Sequence, residues 1–185
     1  MLDYFAIINQ HYQPGTLTYK IFVIHAILVT NKALHIARQL GLSPTEQEFI
    51  EEAAMLHDLG VIKVDSPKMD CTGELPYICH GIAGQEILLA HNLPKHAAIA
   101  AHHVGVGFTK EEIIAHNLPL PHQDLLPSNL AEEIITYADM FFSKREETLW
   151  REDSSAEIEA EISGFSSANE RMLKTFRDWH ARFAV

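Results

Sequence analysis

The sequence has few cysteines and no excess of basic residues. Cys71 and Cys79 are the two cysteines in 185 residues, and their spacing matches neither a zinc knuckle nor a redox C-x-x-C pair. We predict two reduced thiols, because a chain with 47% hydrophobic residues builds its core without a disulfide. The formal net charge of -11 argues against a nucleic-acid polymer as partner, since such binding relies on clustered Lys and Arg.

Signals for secretion or membrane insertion are also not evident. Residues 1–10 carry an acid at Asp3 and no basic segment ahead of an apolar stretch, unlike a signal peptide. We find no apolar run that we judge long enough to cross a membrane. These features predict a cytoplasmic protein without a membrane partner.

Helix signals recur along the chain, whereas convincing strand alternation does not. Apolar residues of the stretch 17–40 fall on one helical face, and Gly41 follows as a terminator. Ser43 and Glu46 have the spacing of a capping box, with Pro44 between them. We therefore predict an all-α protein with one domain over residues 1–185, comprising a core of about 20–144 and C-terminal helices at 154–183 packed on it.

Proline-containing stretches and helix-start signals divide the rest of the chain into predicted loops and helices. The stretches 60–79 and 117–129, which contain several prolines, are predicted loops. An aromatic stripe in the last helix is predicted to pack on the body of the protein. Helix starts are predicted at three further pairs: Thr109 and Glu112, Asn129 and Glu132, and Ser167 and Glu170.

Histidine is the compositional outlier, with 12 residues, and one of them precedes an aspartate at the end of an apolar run. His57 and Asp58 follow the apolar residues 53–56. Burying an imidazole beside a carboxylate costs several kcal/mol unless something compensates. A divalent metal ion would compensate, because imidazole and carboxylate are both good ligands. The alternative is a hydrogen-bonded His-Asp pair at a helix end.

Two further polar residues interrupt apolar helices. His25 lies within the apolar stretch 21–29, and Asp139 lies beside aromatic and aliphatic residues in a later predicted helix. Each alone fits an ordinary buried polar residue with a partner. Together with the His-Asp pair they form an ordered set, which favours one shared site over separate coincidences.

This order resembles the H…HD…D signature of the HD superfamily of metal-dependent phosphohydrolases. The resemblance covers about residues 20–144. It implies an all-α HD-domain helical bundle with the metal site at its centre. The residues that carry it are His25, then Leu56-His57-Asp58-Leu59-Gly60, then Tyr137-Ala138-Asp139, and the implied metal ligands are His25, His57, Asp58 and Asp139.

The resemblance also implies a second ion. Dinuclear members, including HD-type diadenosine tetraphosphate hydrolases, supply histidines from two later stretches, which correspond here to His80 and His103. His102 is the alternative to His103, and helix-cap histidines beside a mononuclear site are the alternative to both. The dinuclear relatives imply iron or manganese, while zinc, cobalt or nickel also suit mixed nitrogen and oxygen ligands.

The function implied is hydrolysis of a small phosphate ester, expected to be a nucleotide, by a metal-activated water. Asp58 would bridge the two ions. Many family members carry a basic residue soon after the His-Asp-x-Gly turn, whereas Lys63 is the first base here. Lys63 is therefore our candidate for contacting phosphate or protonating the leaving group. Lys144 is the alternative for the contact and His102 for the protonation.

Two other functions would use the same candidate metal ligands. A minority of HD-fold proteins resemble di-iron oxygenases with this ligand set, and degenerate HD modules bind nucleotides without turnover. The intact set of candidate ligands argues against the second. The sequence specifies neither the substrate nor the oligomeric state, and a homodimer is compatible with it.

Overall fold

The structure is a computed structural model that describes residues 2–164 and 169–184. Within these residues the chain forms nine α-helices and one small antiparallel sheet, joined by short 3-10 turns, which confirms the predicted all-α class. The helices are α1 Tyr4–His11, α2 Leu17–Gln39, α3 Pro44–Leu56, α4 His80–Ala90, α5 Pro94–His102, α6 Lys110–Ala115, α7 Leu130–Asp139, α8 Ser155–Gly164 and α9 Asn169–Phe183.

The predicted helix boundaries are confirmed where polar side chains cap them. Ser43 and Glu46 form the complete capping box at the start of α3. Thr109 forms another with Glu112 at α6, and the Asn129 side chain accepts a hydrogen bond at the start of α7. Such caps satisfy amide groups that have no partner within the helix. The predicted start at Ser167 lies outside the described residues.

The segment between α3 and α4 is not the plain loop that we predicted. A 3-10 helix spans Leu59–Lys63, and strands β1, Asp65–Ser66, and β2, Cys71–Thr72, pair in antiparallel orientation. Strands of two residues are too short for alternation to reveal them in the sequence. Strand β2 packs against the 3-10 helix Leu59–Lys63, and the segment reaches α4 through a further 3-10 turn, Tyr77–Cys79.

Helix α2 lies at the centre of the bundle, packed against α3 and α7. Val29 of α2 and Tyr137 of α7 belong to the largest apolar cluster. The predicted aromatic stripe of α9 joins the same cluster with Phe176 fully buried, so its packing on the body is confirmed. Burial of each large apolar side chain contributes roughly 1.5–3 kcal/mol. The cluster therefore ties the C-terminal helices to the helices that carry the histidine and aspartate residues.

By length and composition alone, α2 could cross a membrane, which corrects our expectation that no apolar run is long enough. More than half of its most apolar stretch is buried inside the protein. It also carries the fully buried His25. These two observations identify α2 as a core helix of the bundle.

Candidate metal centre

Six polar side chains from five helices converge in the middle of the bundle. Most of them stand at helix ends, where a helix leaves room for a side chain to turn inward. His25 lies in the middle of α2, His57 and Asp58 follow α3, His80 begins α4, His103 follows α5, and Asp139 ends α7. These are the six residues that the sequence predicted as ligands, and the structure brings them all together.

The first group contains His25, His57, Asp58 and Asp139. Nε2 of His25 lies 2.9 Å from Oδ1 of Asp139 and 3.2 Å from Oδ2 of Asp58. Nε2 of His57 lies 3.3 Å from the same Asp139 oxygen. The four candidate ligand atoms lie within 4.8 Å of one another, so one ion between them could contact all four.

The second group contains Asp58, His80 and His103. Its two histidine Nε2 atoms are 3.1 Å apart, and they lie 3.4 and 3.3 Å from Oδ1 of Asp58. All three residues are buried. Asp58 therefore belongs to both groups, with Oδ2 facing the first and Oδ1 facing the second.

Backbone contacts fix the orientation of three of the imidazole rings. In each, the geometry assigns Nδ1–H as donor to the carbonyl three residues earlier, which leaves Nε2 with a lone pair. Lone pairs of His80 and His103 then face each other, an arrangement that a cation between them would stabilise. The three hydrogen bonds run from His57 to Ala54 (2.6 Å), from His80 to Tyr77 (2.7 Å) and from His103 to Ala100 (2.8 Å).

Unsatisfied polar atoms point to the same conclusion. Within the described part of the chain, Nδ1 of His25 has no hydrogen-bond partner, and the neighbours of its Nε2 and of the Asp58 oxygens are other candidate ligands and Lys144, without hydrogen bonds of good geometry. Orphaned polar atoms in a protein core are rare and costly. Buried imidazole nitrogens and carboxylate oxygens without thiolate form a donor set that fits divalent transition metals.

Nearby charges and burial favour the metal-binding forms of three candidate ligands, Asp58, Asp139 and His80. Burial opposes ionisation of Asp58 and Asp139, but the Lys144 ammonium and neighbouring imidazoles hold the pKa of both carboxyls well below its usual range. Burial lowers the pKa of His80 to about 4. Neutral imidazole and ionised carboxylate are the ligating forms.

Lys144, the alternative to Lys63, enters this centre. Its Nζ lies 2.6 Å from Oδ2 of Asp58 and 3.7 Å from Oδ1 of Asp139. Burial opposes its charge, but the two carboxylates raise the pKa of Lys144 above its usual range. Lys63 is exposed at the end of the 3-10 turn, where its charge adds to the effects of burial and His91 in lowering the pKa of His11. A catalytic role of Lys63 stays a prediction, and Lys144 is the lysine that contacts the carboxylates.

His102 faces away from the cluster that His103 enters. Its Nδ1 lies 2.9 Å from Oε2 of Glu132, which is buried in the first turn of α7. The Glu132 carboxylate also accepts hydrogen bonds from Ser128 and Asn129. It thereby links the end of α5 to the start of α7. In the sequence, Glu132 is recognisable only as half of a helix-start signal.

We expect Glu132→Ala to lower the free energy of unfolding by about 2–4 kcal/mol, because a buried carboxylate loses its charge-assisted hydrogen bonds with His102, Ser128 and Asn129. Chemical denaturation followed by circular dichroism measures this loss. Glu133→Ala is the matched control, because Glu133 forms a largely exposed ion pair with Arg182, worth at most about 1 kcal/mol. Equal losses in the two variants would contradict a structural role of the Glu132 carboxylate.

A cavity of about 450 Å³ opens onto the centre. His80, Asp139 and Lys144 line its inner part. Aliphatic and aromatic side chains from the end of α7, from α8 and from α9 form much of its wall. Its volume is within the range of roughly 300–1,000 Å³ typical of small-molecule sites. The centre is therefore accessible to a small molecule from outside.

Known proteins similar to this chain include two sequences and one solved structure. An uncharacterized protein of Methanocaldococcus jannaschii is 35% identical over 130 residues, which cover 68% of this chain and 69% of that protein. A tRNA (cytidine(56)-2'-O)-methyltransferase of Picrophilus torridus is 34% identical over 107 residues, covering 57% of this chain but only 28% of the methyltransferase. The crystal structure of the L. monocytogenes phosphodiesterase PgpH HD domain aligns with a TM-score of 0.49 at 18% identity, covering 91% of this chain and 95% of that one.

A match to a protein family covers the part of the chain that holds most of the centre. Residues 22–142 match the HD domain family. This stretch contains the histidine in α2, the His-Asp pair, both later histidines and the aspartate that ends α7. The chain therefore belongs to the HD domain family.

Proposed function

We propose that this protein is a metal-dependent phosphohydrolase that acts on a small phosphate ester. One observation carries the proposal: two groups of buried ligands share Asp58 and lie at the end of an accessible cavity. Paired metal sites of this kind suit displacement at phosphorus, since both the attacking and the leaving oxygen need stabilisation. Membership of the HD domain family supports the same reaction class.

The candidate ligands would hold metal ions at two neighbouring positions. His25, His57, Asp58 and Asp139 would hold one ion, and Asp58, His80 and His103 would hold the second. Bound divalent ions supply a water of lowered pKa and stabilise charge on the phosphoryl oxygens. We propose iron or manganese, with zinc, cobalt and nickel as alternatives that the donor set also accepts.

Lys144 provides a positive charge beside the ligands. It lies in the cavity wall and within 2.6 Å of Asp58. A lysine in this position can donate a hydrogen bond to a phosphoryl oxygen, where a charge-assisted bond is roughly twice as strong as a neutral one. We therefore assign the phosphate contact to Lys144, in place of Lys63.

A nucleotide or another small phosphate ester fits the cavity better than a polymer does. The cavity volume suits a small molecule, and the net charge of -11 disfavours a long polyanion. The relative named as a tRNA methyltransferase does not change this assignment, because the chain spans only 28% of that protein.

The test is metal-dependent phosphate release. Protein stripped with a chelator is reconstituted with manganese, iron or zinc and assayed on nucleoside monophosphates, dinucleoside polyphosphates and sugar phosphates, with oxygen uptake recorded in parallel. We expect phosphate release that depends on added metal and no oxygen consumption. Oxygen uptake without phosphate release would indicate an oxygenase, and tight nucleotide binding without turnover would indicate a binding module. Either result would overturn the proposal.

A further inference from the structure

Two cations in the cavity wall have no acidic partner among the described residues. Of the described residues, four lysine and arginine side chains line the cavity, and two of them form ion pairs: Lys144 with Asp58, and Arg151 with Asp153 and Glu157. Lys68 and Arg145 form no ion pair with any residue in the described ranges 2–164 and 169–184. Their charges are available to a ligand.

The position of Lys68 and Arg145 distinguishes them from other unpaired bases, because Arg38, Lys63, Lys95 and Lys110 also form no ion pair among the described residues. What sets Lys68 and Arg145 apart is that both line a cavity that reaches the candidate metal centre. Lys68 and Arg145 come from different segments, one between β1 and β2 and the other just after α7, yet both line the same cavity. Their convergence suggests a binding role for an anion.

These two cations are separate from the centre itself. Neither forms an ion pair with Asp58 or Asp139, whereas Lys144 contacts both carboxylates. The phosphoryl group that reaches the metal ligands would be contacted by Lys144. A second negative group on the same molecule would therefore meet Lys68 and Arg145.

The rest of the wall indicates where the carbon framework would lie. Phe142, Ile158, Ile162 and Met172 contribute apolar side chains to the cavity wall, against which a carbon framework could pack. Glu161 of α8 also lines the cavity, and its carboxylate would repel an anion on that wall while accepting a hydrogen bond from a hydroxyl or amino group. The second anion is thus directed toward Lys68 and Arg145.

We propose that the cavity selects phosphate esters that carry a second anionic group, with Lys68 and Arg145 as its specificity-determining contacts. This inference rests on the proposed phosphohydrolase function. An organic bisphosphate is the simplest substrate of this class: one phosphoryl group lies at the centre, the second lies on the two cations, and the carbon framework lies along the apolar wall.

The kinetic test compares pairs of substrates in which one member carries a second phosphoryl group and the other does not. Adenosine 3',5'-bisphosphate is compared with adenosine 5'-monophosphate, and fructose 1,6-bisphosphate with fructose 6-phosphate, using the metal-reconstituted protein. We expect kcat/KM for the bisphosphate to exceed that for its partner by about 10-fold, mainly through KM, as befits charge-assisted contacts made away from the reacting atoms. In Lys68→Gln/Arg145→Gln this ratio is expected to fall to about one.

Calorimetric binding separates failure of this inference from failure of the proposed function. The same ligand pairs are titrated into metal-loaded wild type, into the double variant, and into Arg38→Gln/Lys110→Gln, which makes the same charge change outside the cavity. Tighter binding of bisphosphates by wild type and control, lost only in Lys68→Gln/Arg145→Gln, supports the inference even if no ligand is hydrolysed. Equal binding of both members of each pair, or a preference that survives in the double variant, would overturn it.

Discussion

Asp58→Asn is expected to abolish hydrolysis, with kcat/KM falling by more than about 1,000-fold, beyond the loss typical of a single electrostatic contact. Asp58 is the residue shared by the two groups of candidate ligands, and each of its oxygens faces a different group. The amide keeps the shape of the side chain but removes the charge and one acceptor oxygen. Both ions would thus lose affinity together.

The measurement combines phosphate release with elemental analysis of the purified variant. We expect bound metal to fall from two ions per chain to one or none, while circular dichroism retains the helical signal. Asp70→Asn is the matched control, because Asp70 is exposed and has φ +55°, a backbone conformation that Asn also tolerates. Asp58→Asn protein with normal metal content and full activity would contradict the shared role of Asp58.

Gly60→Ala is expected to destabilise the fold by about 3 kcal/mol or more, at the upper end of overpacking effects. A Cβ at this position would lie 2.1 Å from the carbonyl oxygen of His80 and 2.2 Å from the backbone nitrogen of Gly84. Backbone atoms cannot rotate aside as a flexible side chain can. The first turn of α4 would therefore move away, taking His80 with it.

Thermal and denaturant unfolding measure the stability loss, and metal titration measures the consequence for the centre. We expect weaker binding at the group that contains His80. Gly164→Ala is the control: apart from its own helix backbone and chain neighbours, no atom of residues 2–164 and 169–184 lies within 4 Å of the added Cβ, and alanine in a helix is up to about 1 kcal/mol more favourable than glycine. If both alanine variants were as stable as wild type, the close approach of α4 to Gly60 would be refuted.

Local sequence signals predicted the helices because their causes are local. Capping side chains at Ser43, Thr109 and Asn129 act within one turn, so their spacing is readable from the chain. The six candidate ligands could be identified because each is a polar residue in an apolar helix or at its end, in an order that resembles a known signature. Local sequence patterns and family resemblance together predicted the fold class and the membership of the cluster.

Features that depend on three-dimensional packing could not be predicted in the same way. The sequence favoured Lys63 because it follows the His-Asp-x-Gly turn, whereas the path of the chain beyond α7 brings the alternative, Lys144, into contact with the carboxylates. The link between His102 and Glu132 joins residues 30 positions apart. The convergence of Lys68 and Arg145 on one cavity likewise follows from tertiary structure.

Two metal ions are expected to share Asp58, and crystallography of metal-loaded protein with anomalous diffraction would locate both of them. Crystals of the manganese-reconstituted protein should show two anomalous peaks per chain. One is expected among His25, His57, Asp58 and Asp139, and the other among Asp58, His80 and His103. Elemental analysis of the same preparation should give two ions per chain. A single anomalous peak, or none, in protein exposed to excess manganese, iron or zinc would rule out a pair of ions that share Asp58.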